Sequence, residues 1–289
     1  MAHRGFRHLP VVSDGELAGI ISAGDLIDNL ATSGELSKTL LSSLNSHVST
    51  IANPNPVTIG PDLTILDAIR VIGEKNIGSL LIVEHGDFHS DESSMNAQLG
   101  SSSLEKKAAG KLIGIVTLRD IVSILAAYAP FGVRVEDYMT DRVVTTTERD
   151  SIFSALSLMS IEKVRRLPVV TSLKNGSTRI SVTGMITNKM ILRYLESMIS
   201  YEMLDIDLAI DQPVKTVMQS PMPLIDPKED CGNAAYLMRE MGTGGFAVVD
   251  SRGLVGVLTE RDLVRRIYER EGYSFFYELF QKGNAQMLA

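Results

Sequence analysis

Along this chain, short apolar runs of strand length come in pairs, and each pair leads into a stretch with helical spacing. In the first pair, "LPVV" at 9–12 and "LAGIIS" at 17–22 are joined by Ser13-Asp14-Gly15-Glu16, a turn-forming sequence. "GSLLIV" at 78–83, "RRLPVV" at 165–170 and "GGFAVV" at 244–249 begin three further pairs. Ahead of those three come an extended piece ("NPVTIGPDL", "RVVTTTERD", "PMPLIDPKED") and an amphipathic stretch such as "TILDAIRVIGEK" or "SIFSALSLMSIEK". Leu66, Ile69 and Ile72 fall at three-residue spacing, which predicts one buried helical face. Behind the pairs, "RDIVSILAAY" and "RDLVRRIYER" predict a closing helix. The order is strand, helix, strand, strand, helix: an α/β fold built from repeats.

The copies are in register. With Pro10, Leu81, Pro168 and Ala247 as anchors in the first strand of each pair, they lie 71, 87 and 79 residues apart. An alanine stands 13 residues before each of the last three anchors (Ala68, Ala155, Ala234), and Thr58, Thr145 and Leu224 stand 23 before. After each anchor a glycine (Gly19, Gly114, Gly184, Gly256) opens the phrase "GIISAGD", "GIVTLRD", "GMITNKM" or "GVLTERD", always six residues from first letter to last. Self-similarity of this kind is the signature of a tandem array. The repeats are placed at 1–31, 48–128, 133–198 and 212–272, with an aromatic tail at 273–289. A Ser-, Gly- and charge-rich insertion at 87–109 predicts a solvated surface loop inside the second repeat. Met1 stands nine residues before its anchor, as Ile72 and Met159 do inside their first helices. The first repeat therefore lacks its leading strand and most of its first helix, and a late or cut start is expected.

Composition narrows the function. The net charge of −7 across 289 residues and a pI of about 5.3 argue against a general nucleic-acid binder. A single cysteine, Cys231, cannot form an internal disulfide, and no run of about 18 apolar residues or signal peptide is seen. A soluble cytoplasmic protein without membrane contact is expected. His85 and His89 lack the further ligands a metal site needs, and no nucleophile elbow, P-loop, kinase or Rossmann signature occurs. An independent enzyme is not expected. The stretch "GTGG" at 242–245 reads as a helix stop. The tail "YSFFYELF" at 273–280 holds five of the 16 aromatic residues. Core packing is its expected use, with a partner or dimer face, or cover for the first repeat, as alternatives.

The repeated phrase carries the candidate chemistry. Thr117 and Thr259 stand at the N-cap of the closing helix with Asp120 and Asp262 at N3, and Ser22 with Asp25 follows the same grammar. Free N–H groups and the helix dipole attract an anion such as phosphate to that end. An ionised carboxylate there can accept bonds from both hydroxyls of a ribose. The glycine and small residues before the helix would let a flat base approach the strands. The competing use is a capping box, which only starts a helix. Thr187 keeps the cap in the third repeat while Met190 replaces the acid, yet a helical pattern still follows. That helix does not need an acid, so Asp25, Asp120 and Asp262 are available for another purpose. Up to three ligand clefts are expected, with the third repeat disabled.

Taken together, "RHLPVV…GIISAGD", "NPVTIGPDLTILDAI…GSLLIV…GIVTLRD", "DYMTDRVVTTTERDSIFSAL…RRLPVV…GMITNKM" and "TVMQSPMPLI…GGFAVV…GVLTERD" resemble the CBS domain, named after cystathionine β-synthase. The resemblance implies two Bateman modules, repeats one with two and three with four. It also implies adenosyl ligands (AMP, ADP, ATP, sometimes S-adenosylmethionine) in clefts between paired repeats. Four-repeat members resemble the γ subunit of AMP-activated protein kinase, in which basic residues before the anchor meet phosphates. By that resemblance Arg165 and Arg166 would reach into the cleft that holds Asp262. Arg7 and His8 hold the matching place in repeat one, while Gly78-Ser79 and Gly244-Gly245 hold it in repeats two and four. Arg119 and Arg261, beside the acids, are further phosphate candidates or solvated side chains. Thr58 and Thr145 complete the candidate set. The implied function is a regulatory nucleotide sensor acting on an unidentified partner or through its own homodimer. The alternatives are a scaffold with vestigial clefts, a regulatory subunit of an enzyme or transporter, or a sensor of S-adenosylmethionine.

Overall fold

The computed structural model describes residues 1, 6–31, 46–84, 110–172, 180–200 and 206–287. The insertion at 87–109 and the pair His85 and His89 lie outside them.

Strands β1 (His8–Ser13) and β2 (Glu16–Ser22) form an antiparallel hairpin, and Asp14 and Gly15 take φ of 52° and 86°. Two consecutive positive φ angles are what a tight hairpin turn requires. Helix α1 (Ala23–Ala31) closes this repeat. The second repeat runs β3 (Thr58–Ile59), α2 (Ile65–Lys75), β4 (Ser79–Val83), β5 (Leu112–Thr117) and α3 (Leu118–Leu125). The third runs α4 (Ile152–Ile161), β6 (Arg166–Ser172), β7 (Ile180–Thr187) and α5 (Asn188–Ser200). The fourth runs β8 (Leu224–Ile225), α6 (Cys231–Glu240), β9 (Gly245–Asp250) and β10 (Gly253–Thr259). A π-helical turn, Asp262–Arg266, then leads into α7 (Ile267–Met287). Side-chain oxygens of Thr64, Ser151 and Asp230 accept backbone N–H groups and start α2, α4 and α6. After α6, Gly242 turns with φ of 61°, so "GTGG" is indeed a helix stop.

The sequence intervals have a structural cause. Thr58 pairs in parallel with Leu81, and Leu224 with Ala247, so 23 residues is the length of one strand–helix–strand crossover. Thr146 and Val169 make the same pairing in the third repeat, one residue further along on each side.

Before reaching its own sheet, each described leading segment crosses the second strand of the partner repeat. Asn53 and Ile20 exchange two backbone hydrogen bonds at 2.8 and 3.0 Å. Gln219 and Met185 do so at 2.9 and 3.0 Å, and Thr140 and Val257 at 2.9 Å each. The crossing lies on the glycine of the repeated phrase. A Cβ at Gly19 would stand 2.7 Å from the Asn53 carbonyl oxygen, and one at Gly184 2.7 Å from that of Gln219; one at Gly256 would collide with Met139 Sδ. The glycine thus admits the partner's leading segment, not a ligand base as its position in the sequence suggested. At Gly114 the nearest such contact is Ile82 Cδ1 at 3.6 Å, because no described residue crosses there. Leu9 tells the same story: its counterparts Leu80, Leu167 and Phe246 are at most 1% exposed, whereas Leu9 is 37% exposed.

These crossings pair repeats one with two and three with four into two Bateman modules. In the second module the sheets merge into a five-stranded order, β6-β7-β10-β9-β8, and Met185, Met222 and Ala247 pack between them. In the first, Leu17, Leu81 and Val83 pack between the sheets. The modules then face each other through helices. α2 and α3 pack on α7 and α6 through Ile69, Ile72, Ile121, Leu125, Leu263 and Phe276. α1 packs on α4 and α5 through Ile27, Leu30, Leu156 and Ile191. Burying each such side chain stabilises by roughly 1.5–3 kcal/mol, so the two faces hold the modules together strongly. The tail joins the first of these cores: Phe276 is fully buried, and Phe280 stacks edge-on against Tyr128 at 4.7 Å. Among the described residues no helix is long and apolar enough to cross a membrane.

The glycine argument predicts a contrast. Gly184→Ala, whose methyl must displace a backbone carbonyl, is expected to cost about 1–3 kcal/mol in urea denaturation. Gly114→Ala, whose methyl would meet only Ile82 Cδ1 at ordinary contact distance, is expected to stay within about 0.5 kcal/mol of the parent. Equal losses from the two substitutions would refute the crossing as the reason for the glycine.

Candidate functional site

The start of each closing helix is built alike. Ser22 N–H donates to Asp25 Oδ2 at 2.6 Å, and Asp25 N–H donates back to Ser22 Oγ at 3.2 Å. Thr117 donates its N–H and Oγ1 hydrogen to Asp120 Oδ2 at 2.9 and 2.7 Å. Thr259 does the same to Asp262 at 2.8 and 2.6 Å. All three acids therefore serve as caps. In the third repeat, Met190 N–H donates to Thr187 Oγ1 at 3.3 Å, and α5 runs 13 residues without an acid in its first turn. The cap is sufficient there, as the sequence implied.

The acids differ in what surrounds them. Asp262 is 7% exposed, accepts a bond from Thr140 Oγ1 at 3.2 Å, and pairs with Arg266 Nε at 3.1 Å. Burial nevertheless raises the Asp262 carboxyl above its ordinary range, against the pull of Thr259 and Arg266. Arg266 also donates to Met139 O and Thr140 Oγ1 at 2.9 and 3.0 Å, so it ties the crossing segment to the π-helical turn. Such turns recur at functional sites. Asp25 is part-buried. Asp120 is exposed, with no described crossing segment beside it.

Where the four repeats meet lies a cavity of about 560 Å³. Of the residues singled out in the sequence, Ser22, Asp25, Arg165, Arg166, Thr259, Arg261 and Asp262 line it. Thr58, Thr117, Arg119, Asp120 and Thr145 do not; Thr58 is buried in its parallel pairing, and the leading segment instead contributes Thr140, Arg142, Val143 and Val144. Among the described lining residues, seven are basic and four acidic, a cationic interior in an acidic protein.

Two of these cations stand out. The side chains of Arg165 and Arg166 make no hydrogen bond or ion pair to any described residue. Arg166 lies against Gly244 and Gly245: a Cβ at Gly244 would stand 2.8 Å from its Nη2. Arg165 reaches the opposite module, where a Cβ at Gly78 would stand 3.4 Å from its Nη1 and from His8 Nε2. Basic residues in repeats one and three thus fit against small ones in two and four. Burial, with the neighbouring Arg261 and Arg7, pushes Arg165 down to about 10. Burial and Arg7 do the same to Arg166, also to about 10. His8 falls to about 4, chiefly by burial and then by Arg165 and Arg7, so its ring is neutral at pH 7; its buried Nδ1 has no hydrogen-bond partner. Arg261 donates to the carbonyl and Oδ1 of Asn76 at 3.1 and 2.7 Å. Arg119 pairs with Glu260 at 3.0 Å, so neither arginine is simply solvated.

Glu260 and Thr140 were missed in the sequence. Glu260 is 4% exposed and pairs with both Arg7 and Arg119. Burial opposes its ionisation, but the two arginines outweigh that and hold its carboxyl below the ordinary range. Its signal was one letter inside "GVLTERD", where the siblings have Ala23, Leu118 and Asn188. Thr140 lay in "DYMT", at the place of Gln219 in "TVMQ".

Comparison with known proteins agrees with this architecture. The CBS domain family model matches residues 1–32, 48–89, 135–197 and 214–269. An uncharacterised 33.4 kDa protein in a ribosomal RNA operon of Thermofilum pendens is 25% identical over 289 residues, covering 96% of this chain and 86% of its own. The crystal structure of MJ1225 from Methanocaldococcus jannaschii, described as a candidate archaeal homologue of γ-AMPK, superposes with a TM-score of 0.72 at 22% identity. That match covers 91% of this chain and 89% of MJ1225. An uncharacterised conserved protein from Pyrococcus horikoshii superposes with a TM-score of 0.55 at 19% identity, over 90% of this chain and 91% of its own. With more than half its length matched by the family model and four repeats paired into two modules, the chain belongs to the CBS domain family.

Proposed function

We propose that the protein is a regulatory sensor that binds an adenine nucleotide, AMP, ADP or ATP, in the cavity between its two modules. The observation that carries this reading is the pair Arg165 and Arg166, enclosed at a cavity of about 560 Å³ and without an ion pair to any described residue. Desolvated cations without partners are costly, and a phosphate offsets that cost with charge-assisted bonds. The volume lies within the range of small-molecule sites. Asp262 or Asp25 would accept the ribose hydroxyls, and Val143 and Val144 would flank the base. A ligand held this way touches Ser22 and Asp25 of one module and Asp262 and Arg166 of the other. Its unequal affinity for different module arrangements is then the signal passed to a partner or a second copy. Asp120, exposed and outside the cavity, would not form a site of this kind.

A second reading, a scaffold with vestigial clefts, is favoured by one fact: all three acids already have work as helix caps.

Isothermal titration of ligand-stripped protein separates the two. Phosphate-bearing nucleotides are expected to bind at no more than two sites. S-adenosylmethionine, a cation without phosphate, is expected to bind more weakly. Replacing both Arg165 and Arg166 by Met should weaken binding at least tenfold, about 1.4 kcal/mol. Asp262→Ala should cost roughly 1.5–3 kcal/mol if the acid accepts ribose hydroxyls. No heat and no thermal shift with any of these ligands would leave the scaffold reading standing.

The cavity's charge also predicts a pH signature. The unfolded chain protonates His8 near pH 6.5, the folded chain only near 4. Between these values the unfolded state binds the extra proton, so stability falls as pH drops through that window. His8→Gln is expected to flatten the decline in melting temperature between pH 6.5 and 4. An unchanged slope would show that His8 is not held neutral.

A further inference from the structure

We propose that Glu260 sets the phosphate chain length that the cavity accepts, by acting as a built-in anion that engages Arg7 at the cavity and Arg119 beside it. The inference rests on the nucleotide reading above and adds a specificity residue to it. Glu260 is 4% exposed and stands at the first position of its closing helix, where no other repeat has an acid. It contributes nothing to the cap, which Thr259 and Asp262 complete without it. Its carboxylate ties Arg7 of repeat one and Arg119 of repeat two to repeat four, the Arg119 bond measuring 3.0 Å. Arg7, Arg166 and Glu260 converge over one point: a Cβ at Gly244 would stand 2.7 Å from Arg7 Nη2, 2.8 Å from Arg166 Nη2 and 3.2 Å from Glu260 Cδ.

The charge count follows. With Glu260 in place, Arg7 and Arg119 are neutralised as partners, and Arg165 and Arg166, beside the less buried Arg142 and Arg261, remain for the ligand. The adjacent guanidiniums of Arg165 and Arg166 suit a phosphate monoester, which carries about −1.5 to −2 at pH 7. A longer phosphate chain brings more charge and, around Gly244 where Arg7 is already engaged, meets the fixed carboxylate of Glu260. Fixed like charge at a binding site discriminates between ligands more than it adds affinity. Glu260 therefore disfavours the triphosphate relative to the monophosphate.

The test is titration of the full chain with AMP, ATP, inorganic phosphate and tripolyphosphate. Glu260→Gln is expected to raise the ATP-to-AMP affinity ratio on the order of tenfold. The double variant Glu260→Gln/Arg119→Gln should give back part of that gain, since one freed cation is gone. Arg119→Gln alone, at a part-exposed side chain, leaves Glu260 with less compensation and should move the ratio the opposite way, which keeps the proposal testable if Glu260→Gln does not fold. A ratio unmoved in folded variants, with only melting temperature lowered, overturns the proposal and makes Glu260 a structural tie. If the parent binds no nucleotide, the nucleotide reading fails on its own. In that case a gain in tripolyphosphate over phosphate affinity in Glu260→Gln still supports charge selection by Glu260, and no gain overturns it as well.

Discussion

The crossing of each leading segment over the glycine of its partner repeat is the constraint on which the rest depends. Two backbone hydrogen bonds fix the crossing, and the missing Cβ makes room for it. From that point the segment runs on to pair in parallel with its own repeat, so a single stretch of backbone belongs to two sheets. The same crossing sets Thr140 against Asp262 and lets Arg266 clamp both. Where no described segment crosses, at Gly114, the neighbouring Asp120 is exposed and remains a helix cap. One steric requirement thus separates a complete cleft from an open one.

The second consequence concerns the centre. Helices from repeats one and three form one core, those from two and four another, and the basic residues ahead of the anchors converge between them. Apolar packing at the two helical faces compensates for a centre that is electrostatically strained. Arg165 and Arg166 are buried beside other cations, and the nearby carboxylates form no ion pair with them. Glu260 makes its direct ion pairs with Arg7 and Arg119. A protein of net charge −7 therefore gathers seven of its 28 Lys and Arg residues around one cavity.

Much of this was legible in the sequence, because repetition supplied its own controls. The 23-residue interval, the glycine-led phrase and the methionine at 190 were readable as spacing, and each has a local physical cause. The alternation of Arg165–Arg166 with Gly244–Gly245 could be seen because both pairs sit three and two residues before an anchor. What escaped depends on contacts far apart in sequence. Glu260 resembles any solvated helix-start acid until Arg7 and Arg119 are brought to it from 253 and 141 residues away. The purpose of the glycine was misread for the same reason, since its neighbour arrives from a different repeat. Thr58 pairs within its own sheet, and neither it nor Thr145 lines the cavity.

The most direct test of the account is amide hydrogen exchange with and without saturating AMP. Protection is expected at 140–146, 165–168 and 259–266, and at 22–27 across the module boundary, with none gained at 117–121. Protection that appears at 117–121 instead, or nowhere, would contradict a nucleotide site between the two modules.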